Sequence, residues 1–320
     1  MAARTRYAPD RGLTVRMTAT MFLLGLVFVA FVALIIGVMT ATHQSGAAIV
    51  VVALLLGGGT AFISLFYSDK IALASAGAQV VTPEQAPKLH GIVDRLCALA
   101  DMDKPLVAIA PASMPNAFAT GRNSKHAVLC VTQGLMNQLD DDELEGVLAH
   151  ELSHVAHKDV QVMTVASLLA IVAGLLVRFA FYSELFGGRR NNNQNAFPII
   201  LVIMAVSAVV YAISFLLIRL LSRYRELAAD RSGALLTGQP SALISALTKV
   251  SQGMNRIPNE DLRAAEPLNA FYFAPAMKLN GGASMSAIFS THPSLKKRIE
   301  ELEKIQRQLG EVSPGAKGLR

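Results

Sequence analysis

Hydrophobic positions in this chain come in long blocks, not in short alternating runs. Four apolar stretches, residues 17–39, 46–66, 160–181 and 197–221, flank two segments of mixed polarity at 69–159 and 222–310. The first two stretches contain no Asp, Glu, Lys or Arg. About 20 such residues cross a bilayer as a helix, a form that satisfies every backbone group internally. The third and fourth each hold one arginine toward an end, Arg178 and Arg219, where a long aliphatic stem lets the guanidinium reach the headgroups. The pattern predicts four membrane helices, as a two-helix anchor within residues 1–68 and a hairpin over 160–221.

Between these blocks the periods shorten. Thr82-Pro83-Glu84-Gln85 has the form of a capping box, predicting a helix from there to Ala100 with Leu89, Ile92, Val93 and Leu96 on one side. Residues 106–109 and 127–131 read as short strands, with 116–120 a third between them. Asp140, Asp141 and Asp142 open the next helix, where carboxylates favour the positive end of the dipole. After Pro293, Leu295, Ile299, Leu302, Ile305 and Leu309 recur at helical steps. Residues 187–195 read as a polar loop, 251–290, with Phe271-Tyr272-Phe273, as an irregular segment, and 311–320 as a flexible tail.

Composition agrees with a membrane protein: 52% of residues are hydrophobic and 16% charged, where a soluble domain carries about a quarter charged. The first apolar run exceeds the roughly 7–15 residues of a signal-peptide core and no small-residue cleavage pattern follows it, so it reads as a retained anchor. Arg4, Arg6, Arg11 and Arg16 precede it, whereas the loop at 40–45 has no Asp, Glu, Lys or Arg, which places the N-terminus in the cytoplasm. Four crossings then return both mixed segments to that side. Arg189 and Arg190 against Glu184 in the second loop pull the other way, and the N-terminal bias outweighs them. The net charge of +6 suits a face lying on anionic lipid, and no basic stripe interleaved with aromatics points to nucleic acid. Cys97 and Cys130 have no paired spacing and read as buried thiols.

The chemistry concentrates in His150-Glu151-Leu152-Ser153-His154. Residues four apart on a helix lie about 40° from one another, so both imidazoles can meet one metal ion while Glu151 reaches a water beside it. Zinc suits such donors, and a catalytic site needs three protein ligands with a fourth position open. Three residues compete for the third place: His157, Asp159 and Glu226. His157 shares the helical face, but three histidines within two turns crowd a tetrahedral site. Asp159 points off the ligand face and is better placed to brace the site. Glu226 returns to the same side of the membrane if 160–221 crosses as a hairpin, and with Asp230 four residues on, one of the two can bind zinc while the other accepts a hydrogen bond from a ligand histidine. Glu151 would take a proton from water and pass it to a leaving amine. A second constellation, Thr291-His292-Pro293-Ser294 followed by Arg298, is the candidate source of a donor to the oxyanion.

These residues together resemble the HtpX-type membrane zinc metalloproteases, related to the CAAX prenyl-protein zinc proteases. The resemblance rests on the two N-terminal membrane helices, the His150–His154 string with Asp159 behind it, the hydrophobic hairpin, Ser222-Arg223 to Glu226 and Asp230, and His292-Pro293 with Arg298. It implies an α-helical integral membrane protein with a cytosolic α+β gluzincin-type peptidase domain, in the inner membrane of a bacterium. It implies one zinc per chain, held by His150, His154 and Glu226, with Glu151 as base, Asp230 behind the ligands, His292 at the oxyanion, Asn116 beside the substrate backbone and Arg298 near Asp230. It also implies cleavage of membrane proteins or peptides in quality control. His157 stands where the family commonly has asparagine. Rival readings are a processing protease for lipidated or prenyl-type substrates, for which four helices are few to enclose a chamber, and an idle zinc-stabilised scaffold, which would not be expected to keep Glu151.

Overall fold

The computed structural model describes residues 11–41, 47–187, 196–256 and 292–312. In chain order these form α1 (Arg11–Ala41), α2 (Ala47–Ala76), β1 (Gln79–Val80), α3 (Pro87–Ala100), β2 (Leu106–Ala110), β3 (Ala117–Gly121), β4 (Ala127–Thr132), α4 (Gln133–Gln138), α5 (Asp141–Ala156), α6 (Asp159–Gly187), α7 (Ala196–Thr237), α8 (Pro240–Arg256) and α9 (Leu295–Val312). The expectations for 257–290, with Phe271-Tyr272-Phe273, for most of the polar loop and for the tail fall outside the described residues. The chain divides into two compact units, one drawn from Met1–Thr14, Phe66–Val160 and Ser222–Arg320, the other from Val15–Leu65 and Gln161–Leu221.

The second unit is helical, and its packing is apolar throughout. Leu24 and Phe31 of α1 meet Ala166, Leu169, Val172 and Ala173 of α6 and Val210 and Leu221 of α7. Gly57 of α2 makes room for α6, since a Cβ there would lie 2.8 Å from the Val172 side chain. Outward-facing Phe22, Val29, Leu55, Phe62, Leu201 and Val209 stay exposed, as a lipid-facing surface would require. Among the described residues two helices are long and apolar enough to cross a membrane, Arg11–Leu34 and Leu201–Thr237, with a third possible if the broken pair Asp141–Ala156 and Asp159–Leu175 counts as one span.

The first unit builds an α+β core. Its sheet runs β1-β2-β4-β3, with β2 and β4 parallel and both outer pairs antiparallel. All six residues of β4 are buried, because both faces are covered. Val107, Leu129 and Val131 pack with Leu89, Val93 and Leu96 of α3 and Leu144, Val147 and Leu148 of α5. The opposite face, with Ala108, Val128, Cys130 and Phe118, packs against Ala72 at the end of α2. Burial pushes the Cys97 thiol up to about 11 and Cys130 up to about 12, so both remain protonated packing groups.

One predicted start moves. Thr82 N–H donates to Gln85 Oε1 at 2.9 Å, as the capping-box pattern suggests, but Gln85 and Ala86 turn back onto Thr82 O and α3 begins at Pro87. The reason is that Pro87 has no N–H to continue a helix already under way, whereas at the first helical position nothing is lost.

At α5 the expected start holds. Asp140 caps the helix, accepting from Glu143 N at 2.9 Å, and Glu143 Oε2 accepts from Asp140 N at 3.0 Å. Glu143 is also bonded by Ser245 Oγ and Lys249 Nζ of α8, each at 2.6 Å. Burial pushes the Glu143 carboxyl up, but Lys249, Ser245 and the Asp140 amide more than reverse this and hold it below its ordinary value. A depressed carboxylate stabilises the fold above its unfolded value, about 4.3, and that contribution fades as pH falls through the lower folded value. Glu143→Gln should therefore lower the melting temperature in detergent at pH 7, by a stability loss of about 1.5–3 kcal/mol. The gap to the parent should close below pH ~4; a gap independent of pH would contradict this.

Candidate active site

The site assembles at the crossing of α5 and α7. Gly233 of α7 lies so close to α5 that a Cβ would sit 2.9 Å from His150 N and 3.1 Å from its Cα. Counting back from Gly233, Asp230 and Glu226 are three and seven residues away, on the same helical face. The close approach thus delivers both carboxylates to the histidines. Glu226, Asp230 and Gly233 all lie on α7, a helix of 42 residues.

His150, His154 and Glu226 each offer one atom to a cluster whose members lie within 4.8 Å of one another. His150 Nε2 is 3.3 Å from His154 Nε2, 3.7 Å from Glu226 Oε2, and His154 Nε2 is 3.5 Å from Glu226 Oε1. A tetrahedral zinc with bonds of about 2.0–2.1 Å has donor edges of about 3.3–3.4 Å, so these separations suit one such ion. The histidine tautomers agree. His150 Nδ1 lies 2.9 Å from Asp230 Oδ1, and His154 Nδ1 lies 2.5 Å from Asp159 Oδ2. With each Nδ1–H engaged by a carboxylate, each Nε2 turns a lone pair into the same space. Two lone pairs and a carboxylate oxygen facing one another repel unless a cation lies among them.

Around this cluster the charges are anchored. Arg298 of α9, only 2% exposed, donates to both oxygens of Asp230, Nε to Oδ2 at 2.7 Å and Nη2 to Oδ1 at 2.6 Å. Burial pushes Asp230 upward, and Arg298 overrides it to hold the carboxyl below its ordinary value. Burial likewise opposes ionisation of Glu226, yet His292, His154 and His150 keep it well below the usual carboxylate range. His292 Nδ1 lies 2.9 Å from Glu226 Oε2.

Glu151 sits one residue beyond His150, turned from the ligand face toward the edge strand β3. Its Oε2 accepts from Ala119 N–H at 3.1 Å. Burial pushes its carboxyl up to about 8, with charge on His154 working against the rise and charge on Glu226 with it. Asn116, 6% exposed, lies at the head of β3. Its backbone N–H donates to Thr132 Oγ1 at 2.8 Å, and its carbonyl accepts from Thr132 N at 2.9 Å, which fixes that end of the strand.

Asp159 stands outside the three-donor cluster and touches His154. In an unbroken helix a residue five positions on would lie about 140° around the axis. Here α5 ends at Ala156, Lys158 takes a left-handed φ of 57° and α6 begins at Asp159; the break folds the carboxylate back onto the ring. His157 caps α5 and is not in the cluster. Two groups were not read from sequence: the Ala119 amide, invisible because any residue carries one, and Arg225, whose Nη2 lies 2.7 Å from Asp159 Oδ2. Arg225 could have been suspected from its place beside Glu226, but its partner lies 66 residues earlier.

Comparisons with known proteins identify the family. The family model described as Peptidase family M48 matches residues 83–306. The chain is similar to Protease HtpX homolog 1 of Streptomyces coelicolor, with 56% identity over 98% of this chain and 99% of that protein. It is similar also to Protease HtpX homolog 2 of Methanosarcina mazei, with 47% identity over 96% of this chain and 99% of that protein. In fold it is similar to the crystal structure of S. mikatae Ste24p, with a TM-score of 0.54 and 18% identity, covering 90% of this chain and 67% of that one. A His-His-Glu donor cluster, a buried carboxylate beside it, long apolar helices and relatives of this closeness lead to one conclusion: the chain belongs to peptidase family M48, as an HtpX-type membrane metalloprotease.

Proposed function

We propose that the chain is a zinc-dependent endopeptidase of the bacterial inner membrane that cleaves membrane proteins and peptides for quality control, with its active site facing the cytoplasm. Four crossings, α1, α2, α6 and the first part of α7, anchor a peptidase domain made of 69–159 and 222–310, an arrangement supported by the apolar blocks and the N-terminal arginines Arg11 and Arg16. The observation that carries the reading is the donor set, three ligand atoms at tetrahedral-edge spacing with the outer nitrogen of each histidine engaged by an aspartate.

His150, His154 and Glu226 would hold one zinc, which supplies Lewis acidity that makes water more acidic and a scissile carbonyl more electrophilic. Glu151 takes a proton from the attacking water as its oxygen bonds to the carbonyl carbon. The same carboxyl then gives that proton to the amine nitrogen as the C–N bond breaks. Glu151 is 5% exposed, so the proton passes between water and amine away from bulk solvent. His292, whose Nδ1 lies 2.9 Å from Glu226 Oε2, would steady the negative oxygen. Asn116 and the edge of β3 line the approach of a substrate backbone. Asp230 with Arg298, and Asp159, keep the histidines turned inward.

Metal analysis and casein cleavage by the purified full-length protein test this. One zinc per chain is expected, with cleavage lost on chelation and restored by added zinc. Protein that cleaves equally well after the metal has been stripped would refute the reading.

A further inference from the structure

We infer that Arg225 is a positioning residue of the metal site, fixing Asp159 so that Asp159 can hold His154 turned toward His150 and Glu226. The inference rests on the metal-binding reading above. Two donors converge on a single oxygen: His154 Nδ1 at 2.5 Å and Arg225 Nη2 at 2.7 Å, both on Asp159 Oδ2. Asp159 is 2% exposed, and a buried carboxylate needs a cation beside it. An arginine that merely extended from α7 to the headgroups would be solvated; the Arg225 side chain is 11% exposed and directed inward.

The other histidine has the same construction. His150 is held by Asp230, and Asp230 by Arg298. Each ligand imidazole is thus the end of an arginine–aspartate–histidine chain. The two chains differ in rigidity. Asp230 uses both oxygens, whereas Asp159 Oδ1 is buried and has no hydrogen-bond partner among the described residues. The His154 chain therefore hangs on one oxygen, and without Arg225 only His154 itself would resist rotation of the Asp159 carboxylate.

Placement on α7 adds a consequence. Arg225, Glu226 and Asp230 lie within two turns of one helix, so that segment supplies a ligand, the brace of His150 and the anchor for the brace of His154. Any shift of α7 along or about its axis disturbs all three ligands at once. The metal site is set by the seating of this one helix against α5.

The test is zinc affinity of the full-length protein in detergent, measured by competition with a chromophoric chelator, for the parent, Arg225→Met, Arg225→Lys, Asp159→Asn and the Arg225→Met/Asp159→Asn pair. Partners behind a ligand histidine are worth about 10- to 100-fold in metal affinity. Asp159→Asn should fall in that range and Arg225→Met near its lower end, about 10-fold. Arg225→Lys should recover part of the loss, since an ammonium restores the charge but not the fixed reach of the guanidinium Nη2. In the double variant the losses should not multiply: its affinity should lie within about 2-fold of Asp159→Asn alone, because Arg225 acts only through Asp159. If Arg225→Met does not fold, Arg225→Lys against the parent carries the comparison, with a several-fold loss expected. Affinity unchanged in both Arg225 variants, or losses that multiply, would overturn the inference. A parent protein that binds no zinc, or binds it as well after His154→Ala, would instead refute the underlying metal reading, so the two failures are distinct.

Discussion

Glu151→Gln should lower kcat by about 10²- to 10⁴-fold, the usual worth of a positioned acid–base group, with one zinc per chain retained and KM little changed. The glutamine carbonyl can still accept from the Ala119 N–H that Glu151 meets at 3.1 Å, so the local structure should persist. What disappears is the ability to take a proton from water and return it to the amine. An effect confined to kcat follows because Glu151 lies outside the three-donor cluster and contributes to the transition state, not to substrate or metal binding. Steady-state cleavage of a fluorescent casein by parent and variant, matched for zinc content, decides the matter. Equal rates at equal zinc would end the assignment of Glu151 as base.

Arg298→Met should have the largest effect on stability. Asp230 and Arg298 are 1% and 2% exposed, and truncating one member of a buried ion pair costs about 3–5 kcal/mol because the other charge is left uncompensated. For a domain of this size that corresponds to a fall in melting temperature of roughly 10 °C. His150 should feel the loss as well, since the same Asp230 oxygen that Arg298 binds lies 2.9 Å from His150 Nδ1. Adding Asp230→Asn removes the stranded charge and should restore part of the stability while leaving His150 with a weaker acceptor. Thermal unfolding in detergent, with zinc affinity measured alongside, checks both halves. A melting temperature within 1 or 2 °C of the parent would show that water compensates Asp230, roughly the case of a surface pair.

Much of the local structure was readable because it is dictated by neighbours in the chain. The capping box at Asp140 and Glu143, the four-residue spacing of His150 and His154, and the apolar stripe on α9 each require only residues within a turn or two of each other. The misreading at Thr82 has the same scale. Two overlapping local signals, a capping-box pattern at Thr82 and a proline at Pro87, compete there, and the missing N–H of Pro87 decides. Asp159 falls off the ligand face on a helical wheel that assumes one continuous helix. Its contact with His154 depends on the break at Lys158, which no periodicity announces.

Long-range partners follow a different logic. Arg225 meets Asp159, Arg298 meets Asp230, and Ala119 meets Glu151 across separations of 66, 68 and 32 residues. The resemblance implies Arg298 near Asp230; Arg225 has only its place beside Glu226 to suggest it, and the Ala119 amide carries no mark at all. By itself the sequence determined that apolar blocks would form membrane-type helices and that two imidazoles would share one face of α5 with a carboxylate next to that face, because helical pitch and hydrophobic burial act over short spans. The tertiary structure alone decided how α7 seats on α5, through the space left at Gly233. That seating closes the ligand cluster with Glu226 and brings a guanidinium to each aspartate, because a buried charge is stabilised by whichever distant segment the packing places beside it.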